Sequence, residues 1–211
     1  MVNEYNDPGC RRLATLNVAG FLAKSEVNGP GTRAVLWVQG CNRRCDGCFN
    51  AAFQPFSPAE IISVTDLAAR ILAIPGIDGV TFSGGEPFAQ AGPLAALAEQ
   101  IRARGLSVVT YSGYTLVELA AGMDPSWPAL LAATDLLIAG PYIAARARPD
   151  PLRGSSNQQV IPIGTRLLPS QRPRSFGTTA EFTVARDGTI TTSGFPPETV
   201  LAALMPRHGR A

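Results

Sequence analysis

The sequence has a single histidine, His208, near the end of its 211 residues. Ser-His-Asp hydrolysis, Cys-His nucleophilic catalysis and the commoner histidine-rich metal sites all need an imidazole in the body of the fold. These classes of enzyme and metal site are therefore excluded. Few other side chains act as general acids or bases near neutral pH, so we expect a bound cofactor to carry out the chemically difficult step.

The sequence also lacks an excess of charge and a long apolar run. Eighteen basic and sixteen acidic residues give a formal net charge of +2. This balance indicates neither a basic surface for nucleic acid nor a polybasic membrane anchor. The segment ALLAATDLLIAG is short and is interrupted by Asp135, so it predicts no membrane span. The opening MVNEYNDPGC lacks the apolar core of a signal peptide. We expect a cytoplasmic protein that binds neither nucleic acid nor membrane.

Cysteine is scarce as well, and three of the four cysteines lie together. Cys41, Cys45 and Cys48 occupy the segment CNRRCDGC, directly after the apolar run AVLWVQ. This spacing is too tight for a disulfide framework, and it leaves an odd thiol. A structural zinc ion needs four ligands, but Cys10 and His208 are not at ligand spacing. The trio therefore favours an iron–sulfur cluster with one iron open to a further ligand.

A second motif, SGGEP at residues 83–87, follows a short apolar strand. Gly84 and Gly85 would let the backbone approach a ligand closely. Glu86 would accept a hydrogen bond from an ammonium group, with a solvated acid as the alternative. Because the carboxyl ends of parallel strands share one edge, where α/β sheets and barrels bind ligands, we expect this motif to lie beside the cysteine loop.

Apolar runs alternate with helical patterns along the chain, which predicts an α/β fold with a mostly parallel sheet. The segment EFTVARDGTITTSG predicts a hairpin that turns at Asp187-Gly188, and PPETVLAALM predicts a short helix. We expect a core domain at residues 13–163 and a C-terminal extension at 164–211, beginning with a linker at 165–177. The predicted strands are residues 13–23, 34–39, 79–82, 106–111, 135–139 and 159–163; the predicted helices begin near Thr65, Pro93 and Thr115.

Five segments in order, GPGTR, CNRRCDGCFN, FSGGEP, TYSGY and LRGSSNQ, resemble the radical S-adenosylmethionine superfamily. Within it, the chain is most similar to the activating enzymes of anaerobic ribonucleoside-triphosphate reductase, and pyruvate formate-lyase activating enzymes are more distant. The resemblance covers about residues 13–163. It implies an incomplete, TIM-like barrel that is open on one side and so admits a loop of another protein.

The resemblance implies a [4Fe–4S] cluster on Cys41, Cys45 and Cys48, with S-adenosylmethionine on the fourth iron. Reductive cleavage of S-adenosylmethionine would give methionine and a 5′-deoxyadenosyl radical, which would abstract hydrogen from a glycine of the reductase. The implied partners are this glycyl-radical enzyme and an electron donor such as flavodoxin or ferredoxin.

The resemblance also implies contacts with S-adenosylmethionine. Thr110 and Ser112 are assigned to the ribose, with a hydroxyl that caps its own turn as the alternative. Arg153 is suited to a carboxylate, with a solvated loop as the alternative. The remaining implied contacts are Gly47, Cys48 and Phe49 on the adenosyl side and Gly84 and Gly85 at the methionyl group. Ser83 and Glu86 are further predicted contacts with the cofactor.

Two positions depart from the family pattern. Gly47 precedes the third cysteine, where many superfamily members have an aromatic residue. Ala139 stands where related activating enzymes tend to have an aspartate. Asp135, four residues earlier, is the candidate replacement, and the alternative is that it only begins the strand. The Ala139 departure and the added C-terminal tail support one alternative, radical modification of a peptide or small metabolite. A second alternative, of a different class, is a cluster-containing sensor or binding protein without turnover.

Overall fold

The computed structural model describes residues 14–148, 150–167, 180–184, 186–188, 190–195 and 200. Cys10 and His208 lie outside these residues. Most of the predicted linker and, except for Val200, the predicted C-terminal helix also lie outside them.

Seven strands form one sheet in the order β3-β1-β2-β4-β5-β6-β7. The neighbours β2, β4, β5 and β6 pair in parallel, whereas β1, β3 and β7 make antiparallel pairs. The mixed α/β fold with a mostly parallel sheet is thus confirmed, whereas its closure into a partial barrel stays a prediction. The strands are β1 Thr15–Ser25, β2 Arg33–Val38, β3 Glu60–Ser63, β4 Gly79–Gly84, β5 Ser107–Ser112, β6 Leu136–Ala139 and β7 Gln159–Pro162.

Helices cover one face of the sheet. The predicted helices near Thr65 and Thr115 are confirmed: Ser63 caps the first by accepting from Asp66 N at 3.0 Å, and Thr115 and Glu118 form a capping box at the second. None of the helices among the described residues is long and apolar enough to cross a bilayer. The helices are α1 Val64–Leu72, α2 Ala91–Arg102, α3 Leu116–Ala121 and α4 Trp127–Ala132.

Alternate side chains of each strand face opposite sides of the sheet. Phe82 and Val108 belong to the core cluster between the sheet and the helices. Ser83 and Tyr111 instead line a cavity on the other face. A separate antiparallel hairpin, β8 Ala180–Val184 and β9 Ile190–Gly194, lies against this cavity, and it confirms the hairpin predicted from the sequence.

Arg33, the arginine of GPGTR, fixes the amino ends of three strands. Its side chain is fully buried, and its guanidinium makes five hydrogen bonds: to Thr81 Oγ1, Pro30 O, Val80 O, and both Oγ and O of Ser107. Burial lowers the pKa of Arg33 to about 10. Since these contacts lie at the opposite ends of the strands from the cysteine loop, Arg33 has a structural role.

Candidate active site

The cysteine loop and the SGGEP segment meet at the carboxyl edge of the sheet. They line one cavity of about 110 Å³. This arrangement arises because β2 and β4 are parallel neighbours, so the segments that follow them leave the sheet side by side. The lining includes Cys41, Cys45, Cys48, Ser83, Gly84, Gly85, Glu86, Ser112 and Gln158.

Contacts on both sides hold the cysteine loop in place. Cys41 N donates to Gln54 O at 2.9 Å, next to the strand end. Arg43 pairs with Glu118 at 3.0 Å, and its guanidinium lies 4.8 Å from the ring centre of Tyr114. The loop is thereby tied to the beginning of α3. Cys41 is buried, and this burial raises the pKa of its thiol.

The donor set has the chemistry of an iron–sulfur cluster, whose ligands are thiolates. Among the described residues, no group of three or more His, Cys, Asp or Glu side chains is gathered closely enough to hold one ion. Cys41, Cys45 and Cys48 instead surround a shared cavity. In an iron–sulfur cluster each thiolate binds a different iron, so its ligands stand farther apart than those of a zinc ion.

Gly84 and Gly85 allow the end of β4 to pack against the start of the cysteine loop. A Cβ on Gly84 would lie 2.4 Å from Val38 N, and one on Gly85 would lie 2.2 Å from Gly40 O. Gly84 also has φ +105°, which disfavours other residues. The sequence predicted close approach to a ligand; the structure adds close approach to the backbone of this chain.

Glu86 is a buried carboxylate beside the cavity, with 1% of its surface exposed. Its Oε1 accepts from Phe88 N at 3.0 Å and from the Ser112 hydroxyl at 2.9 Å, and its Oε2 accepts from Gly113 N at 2.8 Å. Burial nevertheless raises the pKa of Glu86 to about 7. The alternative of a solvated acid is therefore wrong.

The two hydroxyls assigned to the ribose lie in different places. Ser112 lines the cavity and also accepts from Tyr114 N at 3.0 Å, which is the turn cap given as the alternative. Thr110 is fully buried, and its hydroxyl lies 2.9 Å from that of Thr134 on the helix side of the sheet. Because Thr110 lines neither cavity, the geometry gives no support to a ribose contact by this residue.

Arg153 is likewise not brought to the cavity. Its Nε and Nη2 bind Asp150 Oδ2 at 2.9 and 2.6 Å, so the carboxylate that it holds belongs to its own loop. Gln158, from the same RGSSNQ segment, lines the cavity instead. It donates to Gly140 O at 3.0 Å and accepts from Gly154 N at 2.9 Å, which joins the two loops.

A larger cavity of about 630 Å³ adjoins the first and shares several of its lining residues. No charged side chain of the described residues lines it. The shared residues are Cys48, Ser83, Tyr111, Tyr142 and Gln158. The other lining side chains include Trp37, Phe49, Asn50 and Phe53 from the sheet and the cysteine segment, and threonines of the hairpin.

Aromatic rings stand where the two cavities meet. Phe49 packs edge-on against Tyr142, with 5.1 Å between ring centres, and against Phe195 at 5.4 Å. Gly47 has φ +68°, and a Cβ there would lie 3.5 Å from Ala144. Tyr111 and Tyr142 were not assigned from the sequence, although strand alternation places Tyr111 on the same face as Val109 and opposite Thr110.

The Ala139 departure does not alter the lining of either cavity. Ala139 is buried in the core cluster on the helix side. Asp135 is fully buried at the opposite end of β6, where it accepts from Val108 N at 2.8 Å and lies 3.4 Å from Arg102. Asp135 therefore cannot replace an aspartate at position 139.

Comparison with known proteins identifies related sequences. The family described as "4Fe-4S single cluster domain" matches residues 27–161. The anaerobic ribonucleoside-triphosphate reductase-activating protein of Vibrio cholerae is 34% identical over 143 residues, which are 64% of this chain and 90% of the relative. The protein of the same name from Escherichia coli K12 is 34% identical over 147 residues, with the same coverage. The pyruvate formate-lyase-activating enzyme of Staphylococcus epidermidis is 28% identical over 160 residues, covering 70% of this chain and 61% of the relative.

Proposed function

This chain belongs to the 4Fe-4S single cluster domain family and is a radical S-adenosylmethionine activating enzyme, and we propose that it forms a glycyl radical on an anaerobic ribonucleotide reductase. The proposal is supported above all by three thiols and the SGGEP backbone around one cavity. When bound there, a [4Fe–4S] cluster and S-adenosylmethionine would supply the electron and the 5′-deoxyadenosyl radical for hydrogen abstraction.

The chain itself would bind and orient this cofactor pair. Cys41, Cys45 and Cys48 would hold three irons and leave the fourth to S-adenosylmethionine. The carboxylate of Glu86 lies beside the same cavity, where it would accept from the amino group of S-adenosylmethionine. Phe49 lies towards the larger cavity, where it would help to keep water from the reacting carbon.

The larger cavity favours an uncharged substrate. A charge that enters a cavity without a counter-charge loses hydration and gains no ion pair, which is costly. No described residue offers such a counter-charge in this lining. A backbone segment around a glycine carries no charge, so it suits the cavity better than a phosphorylated or carboxylated metabolite.

The decisive experiment is anaerobic. The reconstituted protein is mixed with S-adenosylmethionine, a chemical reductant and a candidate reductase from the same source, and a second arm replaces the reductant with flavodoxin or ferredoxin. We expect a glycyl doublet in the electron paramagnetic resonance spectrum, with release of 5′-deoxyadenosine. Cleavage of S-adenosylmethionine together with a changed peptide or metabolite, and no doublet, would favour the alternative substrates. Negligible cleavage by a loaded protein would favour a sensor.

Cysteine variants provide the matched control. Cys45→Ala should abolish cluster loading and the doublet, because two thiolates no longer hold the cluster. Cys10→Ala removes the one cysteine outside the trio and should retain the iron content of the wild type. Equal iron content in both variants would contradict the cluster assignment.

A further inference from the structure

The β8–β9 hairpin forms one wall of the larger cavity. It lies beyond residues 27–161, which match the family. This wall therefore lies outside the part of the chain that matches the family. The hairpin residues in the lining are Thr183, Thr191, Thr192, Ser193, Gly194 and Phe195.

Buried polar contacts fix the hairpin to the turn before β2. The side-chain nitrogen Nδ2 of Asn28 donates to the hydroxyl of Ser193, a residue that is 6% exposed. The same nitrogen donates to Ser25 Oγ at 2.8 Å. The main-chain oxygen of Asn28 accepts from the Thr81 hydroxyl at 2.6 Å. A buried donor or acceptor that is left without its partner costs free energy, so these hydrogen bonds hold the hairpin in a defined position.

A second set of contacts ties the hairpin to the residue after β1 and to the cysteine segment. Glu181 accepts from Glu26 N at 2.7 Å. At the other end, Phe195 packs edge-on against Phe49 of the cysteine segment. The hairpin thus extends from Glu26, directly after β1, to the position where the two cavities meet.

The register of the hairpin shows which side chains face the cavity. Glu181 pairs with Ser193, and Thr183 pairs with Thr191, so these four residues share one face. Thr183, Thr191 and Ser193 line the cavity, whereas Glu181 accepts from Glu26 N after β1 and is not part of the lining. Val184, next to Thr183, points away; it is 67% exposed and is not part of the lining.

We propose that this hairpin is a specificity-determining wall, and that Thr183 and Thr191 contact the segment of the target protein that carries the reacting glycine. A hydroxyl both donates and accepts, so it matches the N–H and C=O groups of an extended peptide. The hairpin side chains in the cavity lining carry no charge, so they favour a target segment without charged side chains near the glycine. This inference rests on the proposed function, because it assumes that the larger cavity receives the target.

The test compares a charge on the cavity face with the same charge on the outer face. Thr183→Glu, Thr183→Lys and Val184→Glu are prepared as reconstituted full chains, and glycyl-radical formation on the intact reductase is measured as separate KM and kcat values. Each rate is normalised to that variant's own cleavage of S-adenosylmethionine without reductase. Both Thr183 variants should raise KM roughly tenfold or more, because either charge is desolvated by the target. Val184→Glu should stay within about twofold of wild type.

Two results would overturn the inference alone. One is a KM for both Thr183 variants equal to that of Val184→Glu. The other is opposite effects of Glu and Lys at position 183, which would indicate attraction to a charged surface of the target. If the wild type cleaves S-adenosylmethionine but forms no glycyl radical on any reductase, the proposed function fails, and the hairpin inference fails with it. Only this last outcome leaves the wild type without a glycyl-radical signal, so failure of the proposed function can be distinguished from failure of the hairpin inference alone.

Discussion

The hydroxyl of Ser112 donates to Oε1 of Glu86 at 2.9 Å, which joins the end of β5 to the segment after β4. The same hydroxyl accepts from Tyr114 N at 3.0 Å. One serine therefore fixes both its own turn and the carboxylate that lies beside the cysteine loop. The position of Glu86 depends on the neighbouring strand as well as on the SGGEP segment.

Replacing Ser112 should weaken both the fold and the site. Ser112→Ala leaves Tyr114 N and Glu86 Oε1 with one partner fewer, so we expect the free energy of unfolding to fall by about 1 kcal/mol. The affinity of the reconstituted protein for S-adenosylmethionine should fall roughly fivefold, because the carboxylate loses its orientation. Urea unfolding and equilibrium binding measure the two effects. Ser57→Ala, at an exposed position, is the control, and equal behaviour of the two variants would contradict the assignment.

Glu86 should make the stability of the metal-free protein depend on pH. Burial raises the pKa of Glu86 to about 7 from 4.5, so between these values the folded state binds a proton that the unfolded state does not. The contribution of Glu86 to the free energy of unfolding therefore rises as the pH falls through about 7 and is complete below the unfolded value.

Glu86→Gln removes this proton uptake. The wild type should gain stability relative to the variant between about pH 8 and about pH 5, as measured by urea unfolding at several pH values. Glu99→Gln, on the exposed side of α2, controls for the substitution itself. A stability difference between the wild type and Glu86→Gln that is the same at every pH would show that Glu86 does not titrate as described.

The sequence predicted the meeting of the two motifs because that meeting follows from topology. Parallel neighbouring strands bring the residues after Val38 and Gly84 to one edge, whatever the side chains do in detail. The hairpin turn at Asp187-Gly188 was equally predictable from the sequence, since it depends on local backbone preferences. β3 and α4 were missed because each is short and lacks a strong period.

Side-chain partners were harder to predict because they depend on long-range packing. Thr110 and Tyr111 differ by one residue, yet they face opposite sides of the sheet, and only Tyr111 reaches the cavities. Arg153 forms an ion pair with Asp150, and the spacing of residues in this loop does not predict that pairing. Glu86 is buried by the neighbouring strand, so a local sequence pattern could not distinguish it from a solvated acid.

Gly84 and Gly105 provide a test of backbone packing at the site. Both have positive φ, but a Cβ on Gly84 would meet the backbone of β2, whereas one on Gly105 would meet nothing within 4 Å. Gly105→Ala should cost about 1 kcal/mol of unfolding free energy from backbone strain alone, and Gly84→Ala should cost at least about 3 kcal/mol. Urea unfolding of the metal-free proteins checks this difference. Equal costs would mean that Gly84 is required only for contact with a ligand.

Arg33 should prove to be a determinant of stability rather than of chemistry. Arg33→Met removes five hydrogen bonds and leaves the buried main-chain oxygens of Val80 and Ser107 each with one donor fewer. We expect a loss on the order of 3 kcal/mol in the free energy of unfolding, measured with urea, whereas Arg104→Met on the surface should change little.

The Arg33→Met protein that still folds should load iron as the wild type does, because Arg33 lies at the end of the sheet opposite to the cysteine loop. Arg33→Lys keeps the charge but has three donors without the planar fork, so its stability should fall between those of Arg33→Met and the wild type. Iron content per folded molecule, measured after anaerobic reconstitution, separates the two roles. A stable Arg33→Met protein that takes up no iron would assign GPGTR to the cofactor site.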